Sequence, residues 1–224
     1  MLTALLGCAV LLFYPRGRRS AVEGRYAAHG IDVSSYQGEI DWGKVAGDGI
    51  SFAYIKASEG ANRSDSRFAD NWRQSKAAGI VRGAYHFFSL RGDGAAQAAN
   101  FLRVASPDAG TLPPAIDLEF SGNSDLRPSR AAFQKELGRF CELIKRRYGV
   151  APVLYTTYDF YAAYLKGFPP DRIWISDFVS WPHDFALSRW VLWQYYAGTG
   201  IAGIEGPVDR DVINTELDGS LLRK

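Results

Sequence analysis

The chain has 224 residues, 47% hydrophobic and 22% charged, enough for one globular domain with a sizeable core. A net charge of +2 leaves no electrostatic footprint for nucleic acid, and two cysteines, Cys8 and Cys141, exclude a disulfide framework. The three histidines are scattered and no Cys/His cluster has metal-ligand spacing, so neither a metal nor another cofactor is expected.

Residues Met1 to Tyr14 form an apolar run, followed by Arg16, Arg18 and Arg19. The run is short for a membrane span, which needs about 20 residues, and fits the core of a signal peptide, although no basic residue precedes it. Residues 1–19 therefore read as a signal peptide or signal-anchor with a basic flank, 20–28 as a linker, and 29–224 as the folded domain. That organisation implies export to a periplasmic or extracellular place, with the N-terminus as membrane anchor wherever it is retained.

From His29 onward, strand and helix signals alternate. Gly30 to Ser34 reads as a strand, and Asp41 before Trp42 and Val45 as an N-cap. Ser51 to Ala57 is a second strand, after which Phe68, Trp72 and Ser75 share a helical face that closes at Gly79. Val81 to Phe88 is a third strand, and Asp93 caps an Ala-rich helix. Pro113 to Phe120 is a fourth strand, and Ser129 caps a longer helix ending at Gly149. Val153 to Thr157 is a fifth, with a short helix from Tyr158 to Leu165. Three further strand-like runs, Ile173 to Asp177, Val191 to Tyr195 and Val208 to Val212, have no convincing helices between them. Eight strands close a barrel, and no Gly-rich nucleotide loop follows the first strand, which argues against a doubly wound open sheet. The expected fold is α/β, an irregular TIM-type barrel with five βα units and three trailing strands.

The fourth strand carries a chemical anomaly. Asp117 and Glu119 are two residues apart among apolar neighbours, so a strand puts both carboxylates on one face, about 7 Å apart at Cα. Burying two like charges together is unfavourable, and they would otherwise be a salt-bridged pair on an exposed strand. In such barrels the chemistry lies at the C-terminal ends of the strands. Asp32, Glu59, Tyr85, His86, Asp117, Glu119, Tyr155, Gln194, Tyr195 and Asp209 stand at those ends, with Lys56 as a counter-ion. Converging carboxylates are the equipment of glycoside hydrolysis. Tyr85 and Tyr155 serve equally well as barrel-filling aromatics, and His86 reads as a satisfied interior histidine.

The segments His29 to Gly38 with Ile40-Asp41-Trp42, Ile55 to Gly60, Gly83 to Phe87, Ile116 to Glu119, Trp193-Gln194-Tyr195 and Val208-Asp209 together resemble glycoside hydrolase family 25, the N-acetylmuramidase lysozymes. The resemblance runs along residues 29–214. It implies a lysozyme that acts on peptidoglycan glycan strands and cleaves the β-1,4 bond from N-acetylmuramic acid to N-acetylglucosamine. Glu119 matches the family's general acid. Asp117 matches the residue that orients the substrate's own N-acetyl group for a retaining, substrate-assisted reaction; direct attack by Asp117 is the alternative. Asp32 and Asp209 match the remaining carboxylates. Tyr85, Glu59, Tyr155, Trp193 and Gln194 are expected to bind substrate. A neighbouring anionic Asp117 is expected to keep Glu119 protonated. Two positions depart from the family's pattern: Asp211, where it usually carries Asn, and Ser176-Asp177, where a small residue is usual. Both are expected to bear on subsite preference. A monomer is expected. The competing readings are a silent peptidoglycan-binding module and a chitin-directed hydrolase.

Overall fold

A computed structural model describes residues 16–169, 172–182, 190–198 and 200–214. The apolar run from Met1 to Tyr14, with Cys8, lies outside the described residues. Among the described residues no helix is long and apolar enough to cross a membrane.

Eight strands close into a barrel: β1 (His29–Val33), β2 (Phe52–Glu59), β4 (Val81–Phe87), β5 (Ala115–Leu118), β6 (Val153–Thr156), β7 (Ile173–Ser176), β8 (Trp190–Gly198) and β9 (Val208–Ile213). A two-residue strand, β3 (Arg63–Ser64), turns back on the end of β2. Five strands are each followed by a helix: α2 (Trp42–Gly47), α3 (Phe68–Ala77), α4 (Gly94–Val104), α5 (Arg130–Tyr148), and α6 (Tyr158–Phe160), which runs into a π-helical turn to Leu165. The expected five βα units and three trailing strands are therefore present. Strand β9 runs antiparallel to both neighbours, β8 and β1, while the other barrel pairings are parallel.

The helices begin and end where local chemistry demands. Asp41 Oδ1 accepts from Lys44 N, Asp93 Oδ1 from Ala95 and Ala96 N, and Ser129 Oγ from Ala132 N. Each satisfies amides that a helix start leaves orphaned. Helix α5 buries Phe133, Leu137, Phe140 and Ile144 on one face and stops at Gly149, whose φ of 75° suits a residue without Cβ.

Two apolar regions result. The larger lies between strands and helices; the smaller fills the barrel interior with Phe52, Tyr54, Val153, Tyr155, Trp174, Val191 and Ile213. Room for the inner rings comes from glycines. A Cβ on Gly30 would fall on the Phe52 ring and one on Gly83 on the Tyr54 ring.

The segment read as a linker over 20–28 differs from that reading. Residues 16–25 form a helix, α1, packed on the outside of the barrel. Val22 is fully buried, and the Tyr26 ring meets Trp190 at 5.8 Å and Trp193 at 6.4 Å edge-on. Glu23 Oε1 lies 3.5 Å from Arg210 and accepts from the Tyr195 hydroxyl at 3.4 Å. The helix covers strands β8 and β9, which lack a helix of their own among the described residues. Burying one valine side chain there contributes roughly 1.5–3 kcal/mol, which explains why a polar-looking segment is ordered.

Candidate active site

Register builds the site. Asp32 on β1 and Asp209 on β9 are direct antiparallel Cα partners. Asp209 stands near the start of its strand, and reaches the mouth because β9 runs the other way. Asp117 is the third residue of β5, and Glu119 follows immediately after the strand ends. Asp117 and Glu119 are held through their backbone: Phe88 N donates to Asp117 O at 3.0 Å, and Asn123 Nδ2 donates to Glu119 O at 3.1 Å and to Phe88 O at 2.9 Å.

Asp32, Asp117, Glu119 and Asp209 line one open cavity of about 440 Å³, together with Lys56, Glu59, Tyr85, Tyr155, Trp174 and Gln194. The Tyr155 hydroxyl and Ser176 Oγ donate to Gln194 Oε1 at 2.9 and 2.8 Å, and Gln194 Nε2 donates to Asp32 Oδ2 at 2.7 Å. Trp174 lies between Tyr54 and Tyr155, with ring centroids 4.7 and 5.0 Å away. Lys56 Nζ meets Glu59 at 3.0 Å and sits 4.8 Å from the Phe87 ring centre. Above them the turn Ser35–Gln37 is pinned by a capping box between Ser34 and Gln37, by Asp65 accepting from Ser35 N, and by Gln37 Nε2 donating to Pro207 O. It presents Tyr36 at the rim, 89% exposed.

The electrostatics follow from burial. Burial lifts Glu119 to about 7, helped by Asp32 and opposed by Lys56. It lifts Asp117 well above the carboxylate range, with Glu119 the next cause. Asp32 is lifted to about 6 by burial against the Gln194 hydrogen bond, and Asp209 is lifted by burial, Asp32 and Glu119. Two carboxyls so placed titrate as a unit and retain a proton near neutral pH. A carboxyl kept neutral beside anionic ones is the equipment of a general acid. Asp117 and Glu119 press on each other, and Asp32 across the mouth adds to the pressure on Glu119.

Trp193, expected to bind substrate, is not in the cavity. It is fully buried on the outer face, donates from Nε1 to Asp177 O at 2.9 Å, and packs against Tyr26 and Trp190. Adjacent strand residues point to opposite faces, so Gln194 inward requires Trp193 outward. Asp211 and Asp177 also do not line the cavity. Asp177 organises a turn, accepting from Val179 N, Ser180 N and the Tyr158 hydroxyl at 2.8–2.9 Å. His86 is fully buried outside the barrel between Ser58 Oγ at 2.8 Å and Gln97 Oε1 at 3.3 Å, and burial pushes it down to about 3. Trp174, Tyr36, Arg63 and Phe87 line the cavity without having been singled out. Register is the signal for Trp174, which lies level with Tyr155 and, through it, with Asp117.

The sequence matches Glycosyl hydrolases family 25 over residues 31–204. Lysozyme M1 of Streptomyces globisporus is 36% identical over 197 residues, covering 83% of this chain and 67% of that protein. A family 25 glycosyl hydrolase from Bacillus anthracis superposes with a TM-score of 0.80 at 35% identity, over 85% of this chain and 90% of the other. The bacterial lysozyme from Streptomyces coelicolor gives 0.80 at 35%, over 88% and 96%. With the barrel, the carboxylate-lined mouth and these likenesses in agreement, the chain belongs to glycosyl hydrolase family 25 and is a glycosidase.

Proposed function

We propose that the enzyme is an exported muramidase that hydrolyses the β-1,4 bond between N-acetylmuramic acid and N-acetylglucosamine in peptidoglycan, with retention of configuration. One observation carries this reading: Asp117 and Glu119 stand together at the end of β5, half-buried, within a cavity they share with Asp32, Asp209 and aromatic walls. Tyr85, Tyr155 and Trp174 offer apolar faces suited to sugar rings. Two of the named relatives, those from Streptomyces globisporus and Streptomyces coelicolor, are lysozymes, which supports the substrate class.

Glu119, carrying the proton, donates it to the glycosidic oxygen as the bond to the anomeric carbon breaks. The carbonyl oxygen of the sugar's 2-acetamido group attacks that carbon from the opposite face. Asp117, then anionic, accepts from the acetamido N–H and stabilises the positive ring that forms. A water then attacks the anomeric carbon, giving its proton to the Glu119 carboxylate and reopening the ring, so two inversions return the original configuration. Glu59, Tyr85, Tyr155 and Gln194 hold the sugars, and Asp32 and Asp209 set the charge of the mouth. A substrate outside the membrane places the enzyme in the periplasm or outside the cell.

The test is to incubate the purified chain with peptidoglycan sacculi and with chitin oligomers, alongside Glu119→Gln. New muramic reducing ends are expected from peptidoglycan alone, and none from the variant. Product from neither substrate would leave a silent binding module; product from chitin alone would reassign the substrate.

A further inference from the structure

Asp211 has no part in the chemistry above, yet it is fully buried inside the barrel. It lies two residues along β9 from Asp209, so its side chain points to the same inner face, one layer deeper. Its Cα partners are Gly30 on β1 and Gln194 on β8. Oδ1 accepts from Trp174 Nε1 at 2.8 Å. Oδ2 is buried and receives no N–H or hydroxyl donor. The group it faces is the Asp32 carboxyl.

The charged groups around Asp211 have its own sign. Asp32 on β1 and Asp209 on β9 act on it most, and the phenols of Tyr54 on β2 and Tyr195 on β8 are the other titratable neighbours. Ionised, it would be a buried anion with one neutral donor and two like-charged neighbours, which is the least favourable state available to it. A proton on Oδ2 removes the charge and also turns the orphaned oxygen into a donor. Two carboxyls in contact share a proton for the same reason.

We propose that Asp211 is a positioning residue: a neutral carboxylic acid that donates from Oδ2 to the Asp32 carboxylate while accepting from Trp174 Nε1, so that it fixes both against the cavity. It deepens the muramidase reading and rests on it only in that Asp32 and Trp174 face the substrate. With Gln194 on its other side, Asp32 then has two donors that hold it anionic against burial. One buried proton thereby couples a charged wall of the cleft to an aromatic wall.

Two variants and one spectrum test this. Asp211→Asn keeps the shape, with an amide N–H to offer Asp32 and an oxygen for Trp174. Its kcat/KM on peptidoglycan should stay within about threefold of wild type. Asp211→Leu removes both bonds. It should lose about tenfold or more, and the acid limb of its kcat/KM profile should move about one pH unit upward as Asp32 loses a donor. In infrared difference spectra at pH 7, wild type minus Asp211→Asn should show a protonated-acid carbonyl band. Absence of that band, or a collapse of Asp211→Asn to the level of Asp211→Leu, would show that Asp211 works ionised and would overturn the proposal. So would a leucine variant with the wild-type rate and acid limb. The infrared comparison needs neither a folded leucine variant nor a substrate. A wild-type chain inactive on peptidoglycan but showing the band would sink the substrate reading and keep Asp211 as assigned.

Discussion

The two surfaces of the barrel wall handle charge in opposite ways. On the outer surface Arg210 faces Glu23, and Arg82 meets Asp108 at 2.5 Å with its guanidinium 4.5 Å from the Trp72 ring centre. His86, buried on the same surface, is neutral and bonded on both ring nitrogens. On the inner surface Asp32, Asp117, Glu119 and Asp209 share one mouth with Lys56, which is itself engaged by Glu59, and Asp211 lies one layer beneath them. Outer charges are compensated, as a fold requires. Inner ones are held against their electrostatic preference, which is expected only where a perturbed carboxyl has work to do.

The sharpest way to break this contrast is Glu119→Gln. It should lower kcat on peptidoglycan by about 10³-fold or more, measured as reducing ends released. A variant retaining a tenth of the wild-type rate would remove Glu119 as the acid. Asp117→Asn should remain folded and lose about 10²-fold. It should also melt a few degrees higher above pH 7. The sign follows from the raised Asp117 carboxyl. A group that binds its proton more tightly in the folded state stabilises the fold below its unfolded value and loses that contribution as pH rises through the folded value. Above it the carboxylate is a liability that the amide removes. A variant melting at or below the wild-type temperature at pH 8 would contradict the strained inner wall.

Glu23→Ala probes the opposite surface. It leaves Arg210 without its carboxylate and should destabilise the chain by about 1–3 kcal/mol in urea unfolding, with kcat unchanged. A neutral effect on stability would reduce α1 to a surface decoration. The smallest effect is expected at the rim. Tyr36→Ala should raise KM about two- to fivefold for long glycan strands while leaving kcat alone, as loss of one exposed stacking face would.

Much of the fold was legible because its signals are local. Asp41, Asp93 and Ser129 mark helix starts by the chemistry of capping, and short, largely apolar runs mark the strands. Strand direction leaves no such mark, so the reversal of β9 was invisible, although Asp209 was recognised by its motif. Helix α1 was missed because its sequence is dominated by Arg and Gly. Val22, and Tyr26 just beyond it, supply apolar contact, and the ring partners of Tyr26 lie more than 150 residues away. Trp193 was misplaced by taking two adjacent strand residues for one face. Trp174 was passed over because a Trp between two isoleucines reads as core, which it partly is. The part Asp32 plays at Glu119 was likewise hidden: Asp32 is 87 positions earlier in the chain and close only after the barrel closes.

The reversed last strand has a geometric consequence. Because β9 runs from the mouth toward the opposite end, Ile213 N donates to Ala28 O, and the chain enters β1 and leaves β9 side by side. Both junctions sit at the end of the barrel away from Asp32 and Glu119. A reporter or wall-targeting module joined after residue 214 would hang from the floor of the enzyme, leaving the approach to the cleft clear for a polymer that must pass along it.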